Sequence, residues 1–363
     1  MGLLFIDGFD HETNGFGNAD LLTKWTGLTA GSAGNPFGID NTSHAFNGAS
    51  LQGNPVIGGN QGGLYKSFGA ALTECIVGCA VNPVANANGA LSFNFFFDAV
   101  PNFARQSLNA VYNGANQAFD IYTTTGLVGS TPNGSVPVGA WSYCELDVVF
   151  NLVGSLDFYV NGINVLALAA INTTGGAGGG NSSSSFAFQA NSGGGATGGS
   201  HLDDLYILNP TGAVAPYNAP LGGCRVQTLY PTANDAVQWT PNAGTNFSEV
   251  NATQFNNGAD FNSTPTVTDQ DTLDCNGLYS NPISIFGVAV TGAYAQDTGG
   301  GGVAVENILK SGVTTAPGTP TPVPAGANTY AYDQDIFQAD PATAAAWLAA
   351  SVNAVKIGYN RTA

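Results

Sequence analysis

The sequence has 363 residues, the length of about two domains, and its 44% hydrophobic content gives each of them material for a core. Only 9% of residues are charged, and a net charge of −17 with seven Lys and Arg repels phosphate backbones and anionic membrane surfaces, so neither nucleic acid nor membrane is an expected partner. Fifty glycines suit short strands joined by many turns, and an all-β fold is expected.

The chain opens MGLLFIDGFDH, with no basic n-region and an apolar run too short for a signal peptide. Ile6 stands where myristoylation requires a small hydroxyl residue, and no stretch reaches the 18 apolar residues of a membrane span. Five widely spaced cysteines, an odd number, point to synthesis in a reducing cytosol. Short strands are expected over 3–9, 50–51, 63–68, 73–81, 90–97, 109–112, 118–122, 142–150, 155–160, 185–189 and 202–208. That spacing is the pattern of a jelly-roll-like β-sandwich. Cys75 and Cys79 share one strand face about 13 Å apart, too far to bridge, and are expected as buried thiols.

The segment WSYCELDVVFNLVGSLDFYVNG (141–162) reads as a hairpin. Leu146, Val148, Phe150, Leu156, Phe158 and Val160 form its core face. From Asn172 to Ser200, glycine- and serine-rich stretches flank a single strand, as flexible loops or as a turn packed on a neighbouring subunit. Three prolines without periodicity then mark a boundary. The expected domains are 1–209 and 224–363, both β-sandwiches, joined by a linker over 210–223.

In the second domain, strands are expected over 269–273, 284–294, 303–309 and 328–336, with a stiff proline loop at Pro317, Pro320, Pro322 and Pro324. Asp340-Pro341 before ATAAAWLAAS predicts the chain's one short C-terminal helix, with Asp340 as N-cap.

Two resemblances are carried by residues in order along the chain. LLFIDGFDH, GAWSYCELDVVFN, SLDFYVNG and HLDDLYIL resemble the laminin-G/concanavalin-A-like lectin and glucanase superfamily as it occurs in tailed-phage structural proteins. VQTLYPTANDAVQWTPN, DQDT, FGVAVTGAYAQD and DPATAAAWLAASVNAVKIG resemble the β companion domain that follows it there. The resemblance implies a virion component made in the host cytoplasm, with capsid or tail proteins and further copies of itself as partners. A non-enzymatic capsid-surface decoration or head-fibre protein is expected. The alternative is a tail-associated, lectin-like receptor-binding protein that takes a host glycan.

Catalysis is not expected. The superfamily's sugar-cleaving members carry an E-x-D-x-E type pair, whereas Glu12, Glu74, Glu145, Glu249 and Glu306 are far apart in sequence, with Asp147 the nearest acid to Glu145. No Ser-His-Asp elbow or phosphate loop occurs either, and no cofactor is implied. Asp203 and Asp204 beside His201, and Asp269 and Asp271 in DQDT, could begin structural calcium sites. Backbone capping and a solvated acidic turn are the competing readings. Trp25, Trp141, Trp239 and Trp347 serve either as core or as platforms for sugar rings.

Overall fold

In a computed structural model, the structure describes residues 2–10, 21–29, 37–46, 48–53, 63–84, 91–102, 105–174, 179–190, 199–252, 258–297, 302–326 and 329–363. The protein is all-β and divides into two compact units, Met1–Val226 and Gln227–Ala363.

The first unit is a β-sandwich. Its strands are β1 (Leu3–Asp7), β2 (Gly27–Leu28), β3 (Phe37–Asp40), β4 (Ser50–Gly53), β5 (Gly63–Leu72), β6 (Glu74–Asn82), β7 (Leu91–Phe96) and β8 (Gln106–Asn113). They continue with β9 (Ala118–Thr123), β10 (Gly126–Ser130), β11 (Ser142–Val149), β12 (Gly154–Val160), β13 (Ile163–Ile171), β14 (Ser183–Ala190) and β15 (His201–Leu208). One sheet has eight strands, in the order β13-β12-β11-β6-β15-β4-β3 with β1 also on β15. The facing sheet has seven, in the order β10-β9-β8-β7-β14-β5-β2. The pairings of the described strands are antiparallel, and alternate residues of each strand enter the space between the sheets. Phe93, Phe95, Phe119, Phe158, Phe186 and Phe188 fill it, with tilted and stacked ring pairs 5.2–6.1 Å apart.

The hairpin read from the sequence is β11–β12, paired residue for residue from Cys144↔Val160 to Val149↔Ser155, and its six expected core residues are buried. The chain then turns on Asn161 and Gly162, both at positive φ (50° and 77°), into β13. A two-residue Asn-Gly turn of this kind matches strand twist. β13 was not visible in the alternation because its exposed and half-buried residues are all apolar apart from Asn164. Cys75, Cys79 and Cys144 are free, buried thiols.

In the second unit, β16 (Pro231–Ala236), β19 (Gln270–Cys275), β21 (Ala304–Ser311), β22 (Thr314–Pro317), β23 (Thr321–Pro322) and β25 (Lys356–Arg361) form a six-stranded sheet. β17 (Thr240–Pro241) and β18 (Asn262–Ser263) make a small pair, and β20 (Val288–Tyr294) with β24 (Ala331–Phe337) makes a ribbon. Val290, Leu309, Trp347, Val352 and Val355 form the core. The expected proline loop includes two short strands, because Thr315 and Thr321 pair with β21 at Lys310 and Val305.

The expected short C-terminal helix is present, but it starts later than its N-cap signal. Of that segment Ala349–Val352 is helical; Asp340 instead accepts from the Ala342 amide and heads a turn closed at Ala345, with Ala344 at a φ of 55°. Trp347 decides this. Its indole N–H donates to the Phe337 carbonyl at 2.7 Å, its backbone bridges Ile285, and its ring is buried in the core, so the chain up to Trp347 is held in a turn and bridges and the helix starts only beyond it.

Candidate functional site

The outward face of the eight-stranded sheet carries the acids of HLDDLYIL and of the hairpin. Glu145 on β11 lies opposite Gly78 on β6, which in turn lies opposite Tyr206 on β15. The Tyr206 ring lies over Gly78, where any Cβ would collide with it. Its hydroxyl donates to Glu145 Oε1 at 2.5 Å and accepts the Leu221 amide at 3.0 Å. The Gly222 amide donates to the same Glu145 oxygen at 2.8 Å. Glu145 is wholly buried, its Oε2 has no hydrogen-bond partner, and burial raises its carboxyl above the ordinary range against those donors.

The segment 209–226 therefore forms a strap on the first unit. Its far end is fixed by a second acid: the Val226 amide donates to Asp204 Oδ1 at 2.7 Å, and the Tyr143 hydroxyl donates to the Asp204 carbonyl at 3.0 Å. Asp203 and Asp204 sit at a bulge in β15, where the register on β6 shifts and Asp204 adopts a φ of 52°. The bulge breaks the simple alternation of His201, Asp203 and Asp204. Asp203 accepts the Ala45 amide on Oδ2 (2.8 Å) and the Asp204 amide on Oδ1 (2.7 Å). Burial raises both carboxyls, Asp203 further by the charge of Asp204. His201 Nε2 lies 3.0 Å from Asp40 Oδ2, and burial lowers the imidazole's affinity for a proton.

The other calcium candidates behave alike. Asp271 is fully buried and accepts four donors: the Gln238 and Trp239 amides, Asn246 Nδ2 and the Tyr359 hydroxyl, at 2.7–2.9 Å. Asp269 accepts from Thr264 Oγ1 at 2.6 Å. Protein donors thus occupy both oxygens of Asp203 and Asp271 and one each of Asp204 and Asp269, and among the described residues no group of three or more His, Cys, Asp or Glu is placed to hold a metal ion. Asp147, the acid two residues from Glu145, lies opposite Asp157; burial and the charges of Glu74 and Asp157 push it up to about 7.

A different surface was not anticipated. On the seven-stranded sheet the residues between the core phenylalanines face outward and are mostly amides and hydroxyls. One row runs Tyr65, Ala187, Asn94, Asn109, Tyr122 across five strands, and its neighbour runs Gln189, Ser92, Val111, Asp120. Ser92 donates to Gln189 Oε1 (2.9 Å), Asn94 Nδ2 to Ser92 Oγ (2.9 Å), and Gln106 Nε2 to Asn94 Oδ1 (2.5 Å). The row is closed over β14 and β7, where Ser92, Asn94 and Gln189 are buried, and opens over β8 and β9. There Asn109 is half-buried, its Oδ1 enclosed and without a partner among the described residues, and Tyr122 is exposed. The signal was present in the sequence as Ser-Phe-Asn-Phe and Phe-Ala-Phe-Gln, polar residues alternating with core aromatics. Of the tryptophans, Trp25 and Trp347 are buried, and Trp141 and Trp239 are partly so.

No family model matches the chain, and no curated protein does. Among solved structures, it is similar to the alginate lyase Aly36B, at 15% identity over 56% of this chain and 95% of that one, with a TM-score of 0.39. Cellulose induced protein Cip1 aligns at 15% identity over 56% and 96%, TM-score 0.38. The Emp47p carbohydrate recognition domain aligns at 11% over 49% and 90%, TM-score 0.33. Likenesses this remote carry no argument about activity or ligand.

Proposed function

We propose that this chain is a non-enzymatic virion protein of a tailed phage, a capsid-surface decoration or head-fibre component. The virion part is supported by the resemblance of both halves, in order, to phage structural proteins. The non-enzymatic part is supported by one observation: Glu145, the acid placed where a glycosidase-type strand would carry one, is sealed beneath the 209–226 strap and committed to holding it. A glycosidase of the two-carboxylate type needs both carboxyls facing each other across a cleft open to substrate and water. Locating the protein in purified particles by labelled imaging tests the proposal. Signal on the head at fixed copy number supports it, and absence from the particle overturns it.

The second reading, a tail-associated glycan-binding protein, is favoured by the amide and hydroxyl rows on the seven-stranded sheet, which open beside exposed Tyr122. Amides supply both donors and acceptors for sugar hydroxyls, and an exposed ring can lie on a sugar's apolar face. Signal on the tail, with binding on a glycan array lost in Asn109→Ala, would favour this reading over the first.

A further inference from the structure

We infer that the glycan taken by this surface, on the second reading above, is a neutral, hydroxyl-rich polysaccharide and not a polyuronate or other acidic glycan. The inference starts from the cations. The chain has seven Lys and Arg, and each is engaged within the protein. In the first unit, Lys24 pairs with Asp7 at 3.3 Å, and Lys66 lies 4.3 Å from the Phe5 ring and donates to the Lys24 carbonyl. Arg105 pairs with Asp98 at 2.6 Å, and Arg225 stacks 3.7 Å over Phe46. In the second unit, Lys310 and Lys356 both grip Asp235, and Arg361 donates to the Thr264 and Ala363 carbonyls.

Recognition of a carboxylate or sulfate on an open surface is strongest with a charge-assisted donor, Arg above all, because single neutral amides repay less of the anion's lost hydration. None of the seven lies in the outward rows of the seven-stranded sheet. Lys66 is opposite Phe186, an inward position, and Arg105 turns to Asp98 and the Phe97 ring. The charge those rows do carry is Asp120, which accepts from Ser130 Oγ and Asn113 Nδ2. A polyanion would therefore meet a carboxylate locally and a field of −17 from the whole chain. Half-buried Asn109, Asp120 and exposed Tyr122 suit what a neutral sugar offers: hydroxyl groups and an apolar ring face.

The test is affinity electrophoresis and calorimetry of the full chain against galactomannan, arabinan and hydroxyethylcellulose on one side, and alginate and polyglucuronate on the other. Low salt is used so that charge is least screened. The expected result is binding to at least one neutral polymer, weakened at least about tenfold by Asn109→Ala and by Tyr122→Ala, in line with loss of a hydrogen bond or a stacking ring. The control Val214→Ala, an exposed residue elsewhere, should leave binding and melting temperature unchanged. Binding to alginate or polyglucuronate would overturn the charge-class inference while leaving glycan recognition standing. Binding to none of the five polymers would sink both. Neutral-polymer binding unaffected by either substitution would place recognition away from these rows and overturn the assignment.

Discussion

At the scale of single residues, the buried acids decide the most. Glu145 accepts two donors with one oxygen and leaves the other unpartnered, in a site where burial disfavours its charge. Glu145→Gln keeps an acceptor for Tyr206 and Gly222 and removes the charge, so at pH 8 it should leave stability unchanged or raise it by about 1 kcal/mol. Glu145→Ala strands a buried hydroxyl and an amide and should cost about 2–4 kcal/mol. Urea unfolding at pH 8 separates the two, and equal losses would show that Glu145 acts only by filling space. Calcium is the complementary case. Because Asp203, Asp204 and Asp271 already accept protein donors, millimolar Ca²⁺ or chelator should move the melting temperature by less than about 1 °C. A concentration-dependent rise of several degrees would reveal a site that the acids can open to form.

At the scale of elements, strands with one buried face were legible because alternation is a direct record of which side meets the core. The β11–β12 hairpin is the best example, and its six core residues lie where their period places them. β13 was illegible for the opposite reason, since INVLALAAI is apolar on both faces. The helix expected from Pro341 through ATAAAWLAAS (341–351) follows every local rule for a start, yet it forms only from Ala349, because the burial of Trp347 and its bond to Phe337 outweigh propensities worth a few tenths of a kcal/mol per residue. The polar rows could be listed residue by residue but not assembled, because register across five strands is a tertiary fact. The strap is another such fact: proline-rich 210–223 reads as a linker, yet the segment 209–226 is fixed by amides of Leu221, Gly222 and Val226 to side chains on β11 and β15. Limited proteolysis should accordingly cleave it slowly in the wild type. Gly78→Ala, which drives a methyl into the Tyr206 ring, should speed cleavage at least about tenfold, since about 1.4 kcal/mol of lost anchoring suffices. Equal rates would mean that Tyr206 does not anchor the strap.

At the scale of the whole molecule, these acids predict an unusual dependence on pH. Most carboxylates in folded proteins are held below their unfolded values, so stability falls on acidification. Here burial raises Glu145, Asp147, Asp203 and Asp204 in the first unit, with Asp147 at about 7, and Asp333 in the second at about 6. A raised group binds a proton in the folded chain at a pH where the unfolded chain has lost it. Between its folded value and about 4, the unfolded value, folding therefore takes up protons and stability increases as pH falls. Asp40, Asp235 and Asp340 oppose this only at the acid end, because their values are lowered; what they contribute is present above about 4 and is lost below it. Titrating part of a net charge of −17 also relieves self-repulsion over the same interval. Melting temperature should thus rise by several degrees from pH 8 to pH 5, at about 2–4 °C per kcal/mol for a unit of this size, and fall again below pH 4. Asp147→Asn together with Glu145→Gln should reduce the rise in the first unit, because neither replacement titrates, and leave the part owed to Asp203 and Asp204. Calorimetry across pH 4–9 checks both statements, and a melting temperature that falls steadily from pH 8 to pH 5 would show that the buried acids are ionised as folded and find their compensation in the donors around them.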